Sequence, residues 1–111
     1  MEDLLTEMQQ CKTVNACIEL ALTDAYGEYE EASAWLACID TMFARFTRVQ
    51  VMGEEVTLHG FDLANEVAIV GICRKGRHRA KVALDSIEFP ALTTVEARWL
   101  KAWKQYSRAD N

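Results

Sequence analysis

Residues 24–43 read DAYGEYEEASAWLACIDTMF. Ala25, Ala32, Leu36, Ile39 and Phe43, with Trp35 and Met42 beside them, recur at three- and four-residue steps. That is the period of a helix burying one stripe. Asp24, Glu28 and Glu31 stand four and three residues apart, so a continuous helix aligns their oxygens along one edge. Glu30 lies close by and Asp40 further down. Gly27 interrupts the run, and inside a helix it costs about 1 kcal/mol relative to alanine. It either ends one helix or bends a longer one. If it ends one, Glu28, Glu30 and Glu31 enter the first turn of the next, where the macrodipole favours each by about 0.3–1 kcal/mol.

On the N-terminal side, residues 2–11 read as a short helix with Leu4, Leu5 and Met8 on one side. Thr13 is the N-cap expected for a second helix carrying Val14, Cys17, Ile18, Ala21 and Ala25. After Phe46 the period changes. Residues 47–51, 55–61, 67–73 and 77–84 have strand composition, with 87–89 a short fifth. Asp62–Glu66 reads as a polar loop and Lys75-Gly76 as a two-residue turn. Residues 67–73 are apolar on both faces, so helices are expected to cover them. Pro90 ends the sheet, and Thr93-Thr94-Val95-Glu96 has capping-box spacing for a last helix reaching about Ser107. Val95, Trp99, Ala102, Trp103 and Tyr106 mark its apolar face, opposite Arg98, Lys101, Lys104 and Arg108.

The expectation is a single α+β domain over residues 1–111, with a helical segment at 1–44 and a C-terminal helix at 93–108. Between them, residues 45–90 form a small antiparallel SH3-like barrel of four to five strands. A chain of 111 residues supports one core and not two. The longest apolar runs are too short to span a bilayer, and the start Met1-Glu2-Asp3 is the reverse of a basic leader, so a cytoplasmic address is expected. Cys11, Cys17, Cys38 and Cys73 form no CxxC and read as reduced thiols. The net charge of −5 is unevenly spread. Nine acidic residues stand against Lys12 alone up to residue 44, and eleven Lys/Arg stand against eight Asp/Glu from Arg45 onward. Such asymmetry points to outside partners or to docking of the two halves on each other.

Three features bear on chemistry. The carboxylates Asp24, Glu28 and Glu31 repel one another if they share an edge, and a calcium ion would relieve this with loose oxygen geometry. The alternative is a solvated, dipole-favoured face. Asp62 and Glu66 could add oxygens only if their loop folds back. Arg74, Lys75, Arg77 and Arg79 crowd a hairpin tip and are the candidate contacts for a protein or nucleic-acid partner, although the acidity of the chain speaks against nucleic acid. A turn at Lys75-Gly76 also sets Cys73 opposite His78, the arrangement of a thiolate–imidazole dyad, but no third orienting residue or oxyanion device accompanies it. With no phosphate loop or nucleophile elbow either, the chain reads as non-enzymatic. The apolar helix stripe alternatively serves a homodimer interface.

At Asp24-Ala25-Tyr26-Gly27-Glu28, followed by Glu31-Ala32 and Trp35 and then Gly53-Glu54-Glu55-Val56, the sequence resembles the small calcium-binding proteins called CcbP. The similarity covers roughly residues 20–90. The resemblance implies helices packed on a small β-barrel and calcium held by acidic surface groups, here Asp24, Glu28 and Glu31. The chain departs from that family in having Leu36-Ala37-Cys38 where an aromatic-rich segment is usual. It also has no proline before the first strand.

Overall fold

The computed structural model of the chain describes residues 3–109, without the side chains of 108 and 109. Residue 2 of the expected first helix and the side chain of Arg108 lie outside that description. Helix α1 spans Leu4–Gln10, α2 Val14–Ala21 and α3 Glu28–Met42. Strands β1 (Arg48–Val51), β2 (Glu54–Ala64), β3 (Ala68–Lys75) and β4 (His78–Ala83) follow, then a 3-10 turn at Leu84–Ser86, β5 (Ile87–Glu88) and α4 (Thr94–Ala109). Among the described residues no helix is long and apolar enough to cross a membrane.

The helix starts follow their caps. Asp3 Oδ1 accepts from the Thr6 N–H at 2.8 Å and Thr13 Oγ1 from the Ala16 N–H at 3.0 Å. α4 opens on a complete capping box: Thr93 Oγ1 accepts from the Glu96 N–H and Glu96 Oε1 from the Thr93 N–H. Gly27, with φ +90, is the N-cap of α3 and has no side-chain cap. The helix therefore ends and restarts here; it does not bend. α2 stops at Ala21, short of the expected Ala25, and α4 runs two residues past Ser107.

The sheet is antiparallel in the order β4-β3-β2-β1-β5. Pairing leaves β4 and β5 as its two edges, so the ladder is open where a closed SH3-like barrel was expected. It is nevertheless strongly curled. Strands lie about 4.8 Å apart, so a flat sheet would hold β4 and β5 about 19 Å from each other. The four steps from Ala83 to Ile87 reach about 14 Å even if fully extended, and a 3-10 turn shortens them. A bulge in β2, where the register shifts between Leu58 and Gly60, adds to the bend. The curl brings β3 against β5 across the interior: a Cβ on Gly71 would lie 2.5 Å from Ile87 Cδ1 and 3.0 Å from Leu58 Cδ1. β2 continues to Ala64, and the expected polar loop is instead strand plus a tight turn. Asn65 and Glu66 take φ of +53 and +68, and the Val67 N–H donates to Ala64 O.

Cross-strand partners share a face, so Ile69, Gly71 and Cys73 of β3 point inward with Leu58, Val49 and Ile87. Helix α3 lies on β2 and β3, and α4 packs on α2 and α3. One continuous core results, including Trp35, Trp99, Phe43, Ile39, Leu84 and Val49. Helix α3 thus covers the inner face of β3, while Val70 and Ile72, on the outer face that helices were expected to cover, lie outside that core.

Arg45, just past α3, joins the layers. Its Nε and Nη2 reach Glu96 Oε2 and Oε1 at 2.8 Å each, Nη2 also donates to Ala91 O, and the guanidinium lies 4.0 Å over the Phe46 ring. Glu96 is only 5% exposed. The Arg45 bond, and then the Thr93 bonds, hold its carboxyl below the ordinary range against the opposing effect of burial.

Two predictions follow from these contacts. Gly71→Val should destabilise the chain by about 1–3 kcal/mol through overpacking, and Ile87→Ala combined with it should cost less than the two changes summed, read by urea denaturation. A carboxylate with a lowered folded pKa contributes stability that is present above its unfolded pKa, near 4.3, and is lost as pH falls through the folded value. Glu96→Gln should therefore cost about 1–3 kcal/mol at pH 7, and between pH 5 and pH 3 should lose less stability than the unaltered chain, because the titrating group is gone.

Candidate partner-binding site

Asp24 sits in the turn after α2 with φ +59, exposed, while Glu28 and Glu31 lie across Gly27 in the first turn of α3. The break takes Asp24 off the helix that would have aligned the three. Glu30 Oε2 accepts from the Tyr26 N–H at 2.8 Å, and Glu31 Oε1 accepts from the Tyr106 hydroxyl at 2.9 Å. These acids thus serve the start of α3 and its contact with α4. The positive end of the α3 dipole stabilises them and opposes a cation at the same place. Asp62 Oδ1 accepts from the Leu63 N–H and Oδ2 lies 3.9 Å from Lys81 Nζ; Glu66 is at the β2–β3 turn. Among the described residues, no three or more His, Cys, Asp or Glu side chains are gathered as a metal would need.

The basic residues do come together. The β3–β4 turn is Gly76-Arg77, because Gly76 takes φ +59 and Lys75 pairs with His78. The turn expected at Lys75-Gly76 is displaced by one residue, and Cys73 consequently faces Ala80 while His78 faces Lys75. No Cys73–His78 dyad exists at that register. Turn chemistry explains the slip: the favoured two-residue turns need a positive φ at their first central position, which Gly76 supplies and Lys75 does not. Arg74 Nε donates to Gly76 O at 2.8 Å, and Lys75 Nζ lies 3.0 Å from Glu54. Arg77 and Arg79 are exposed and have no hydrogen bond or ion pair among the described residues.

Beside this tip lies a groove of about 350 Å³, floored by Val56, Cys73, Ala80 and Val82 and edged by Lys75 and His78. By register its floor is a continuation of the core face of the sheet. α3 covers β2 and β3 elsewhere; here the apolar face meets solvent. The far wall is the β1–β2 turn, Met52-Gly53, with φ of +52 and +80. Met52 is 93% exposed. A methionine in the left-handed region, where Asn or Gly is preferred, costs of the order of 1 kcal/mol. Sequence reading passed over Met52. The available signal was Met-Gly standing where a two-residue turn favours Asn-Gly.

All four cysteines are free. Burial pushes the Cys17 thiol up to about 11 and Cys38 up to about 12, and it raises Cys11 and Cys73 as well. No family model, curated protein or solved structure matches the chain. The likeness to CcbP proteins therefore stands on the residues quoted for it.

Thiols held protonated and covered react slowly. Alkylation of the folded chain at pH 7.5 should stop near one label, at the half-buried Cys11, and reach four only on unfolding, as counted by mass spectrometry.

Proposed function

We propose that this chain is a non-enzymatic interaction module that seats an acidic, aliphatic peptide segment in the groove between its two hairpin tips. The observation that carries the reading is Met52, an almost fully exposed apolar side chain on strained backbone at the edge of an uncovered apolar floor. Strain of this kind persists where function uses it. The floor of valines would take aliphatic side chains, and Met52 would close over them, methionine being adaptable to varied apolar partners. Charge selects the partner. Arg77 and Arg79 are unpaired at the tip, and Arg74 and Lys75 line the groove. Arg79 and Lys81 lie by register on the outer face of the same hairpin, and the nearby acids Glu54 and Asp62 are already engaged with Lys75 and Lys81. An acidic peptide would be steered in and a basic one repelled. In this reading the curled sheet is an open variant of a small SH3-like barrel, and a cytoplasmic partner fits the reduced thiols.

The test is an amide NMR titration with an acetylated decapeptide alternating Glu and Val, with a Lys/Val peptide as control. The acidic peptide should shift residues 51–56 and 73–82, weaken with salt, and lose affinity in Arg77→Glu/Arg79→Glu. Met52→Asn should stabilise the chain by about 1 kcal/mol while weakening the peptide, the signature of strain kept for binding. No saturable shift would end the reading. Retardation of mixed DNA or RNA that Arg74→Ala/Arg77→Ala abolishes would assign the tip to nucleic acid. A dimer mass lost in Met52→Asp would assign the groove to a second copy. Calcium-specific shifts confined to residues 24–31, absent with magnesium, would favour the ion at Asp24, Glu28 and Glu31 instead.

A further inference from the structure

A second cavity, of about 340 Å³, opens at the other end of the β3–β4 ladder, where α3, α4 and the 3-10 turn meet. Its size is within the range of small-ligand pockets. Ala32, Ile69, Leu84 and Trp103 are buried and form its apolar interior. The Tyr106 ring completes a wall and is held in place: its hydroxyl donates to Glu31, and its ring lies 5.3 Å from Trp35 and 6.0 Å from Trp103. Two carboxylates line the cavity from different elements, Glu28 from the first turn of α3 and Asp85 from the 3-10 turn. Both are exposed, and neither has a hydrogen bond or ion pair among the described residues. Among the described residues no Lys, Arg or His lines the cavity.

We propose that this cavity binds an alkylammonium group, its hydrocarbon part against Trp103, Leu84 and Ile69 and its charge between Glu28 and Asp85. An anion would meet two carboxylates and, among the described lining residues, no counter-charge. A metal ion would have to exchange its water for mostly hydrocarbon walls, and two side chains supply too few oxygens for it. An organic cation suits both surfaces at once, because it presents apolar area to the interior and is attracted to indole and phenol faces as well as to carboxylates. The positive end of the α3 dipole offsets only about half a charge of the carboxylate pair. The same head group arrives either as a free amine or as a lysine side chain. The site shares no lining residue with the hairpin groove, so each stands or falls alone.

Tryptophan fluorescence and amide NMR would be followed while n-butylammonium or the amide of N-acetyl-lysine is added at constant ionic strength. tert-Butanol and sodium chloride serve as neutral and inorganic controls. The expected result is a saturable change confined to residues 28–32, 84–85 and 103–107, absent with both controls. Affinity should fall about tenfold in Glu28→Gln/Asp85→Asn, with the fold retained by circular dichroism, because both side chains are exposed and without a hydrogen bond or ion pair among the described residues. Stronger binding of n-butylammonium would point to a free amine, and stronger binding of the lysine derivative to a peptide side chain. Ala32→Leu, which fills the cavity, should abolish the response. The proposal is overturned if tert-butanol matches the amine, if the double variant binds equally well, or if nothing saturates by about 10 mM.

Discussion

The packing of Trp35 against α4 holds the two halves of this molecule together. The indole is fully buried, with ring centroids 6.0 Å from Trp99, 5.5 Å from Trp103 and 5.3 Å from Tyr106. Trp99 extends the link to α1 by donating from Nε1 to Met8 O at 3.1 Å. Elements ninety residues apart in sequence thus share one aromatic cluster. The Trp35 Nε1 finds no acceptor among the described residues, a cost of about 1–3 kcal/mol. Burying 150–250 Å² of aromatic surface returns roughly 4–6 kcal/mol, so packing decides the position and the lost hydrogen bond is tolerated.

That cluster also determines which part of the sheet is covered. α3 is anchored to α4 by Trp35 and therefore lies over β2 and β3 near their junction with the 3-10 turn. It cannot also reach the hairpin tips, and β4 is exposed along most of its length. The apolar strip at Val56, Ala80 and Val82 is what remains of a core face once the helix layer is spent. Cover at one end and exposure at the other have a single geometric cause.

Legibility followed the range of the interaction. Helix starts were readable because a cap is a local bond between residues three apart, as at Asp3, Thr13 and Thr93/Glu96. The α+β pattern was readable because periodicity records burial. Barrel closure was not, since it depends on whether two edges separated by the whole sheet come within 5 Å. The β3–β4 register failed by one turn position: both Lys75-Gly76 and Gly76-Arg77 keep the same residues facing inward, and the positive φ of the first central residue, met by Gly76, decides between them. The acidic edge turned on a point the sequence left open: its spacing is real, and Gly27 ends the helix along which Asp24 would align with Glu28 and Glu31. Glu31 was found to hold Tyr106, a partner 75 residues away that no local pattern announces.

The uneven charge of the sequence becomes a spatial fact in the fold. Arg48–Glu55, Lys75–Glu54 and Lys81–Asp62 all join strand to strand, and Arg45–Glu96 joins the end of α3 to α4. Among the described residues, no ion pair connects the basic tip with the acids around Gly27. The two lie toward opposite ends of the β3–β4 ladder, about 20 Å apart at strand spacing from Ile69 to Lys75. That exceeds the Debye length of about 8 Å in physiological salt, so the ends do not neutralise each other. The two halves are therefore held together by aromatic packing, with the half-exposed Arg45–Glu96 pair tying the end of α3 to α4, and the surplus charge of each end is left to act on what approaches from outside.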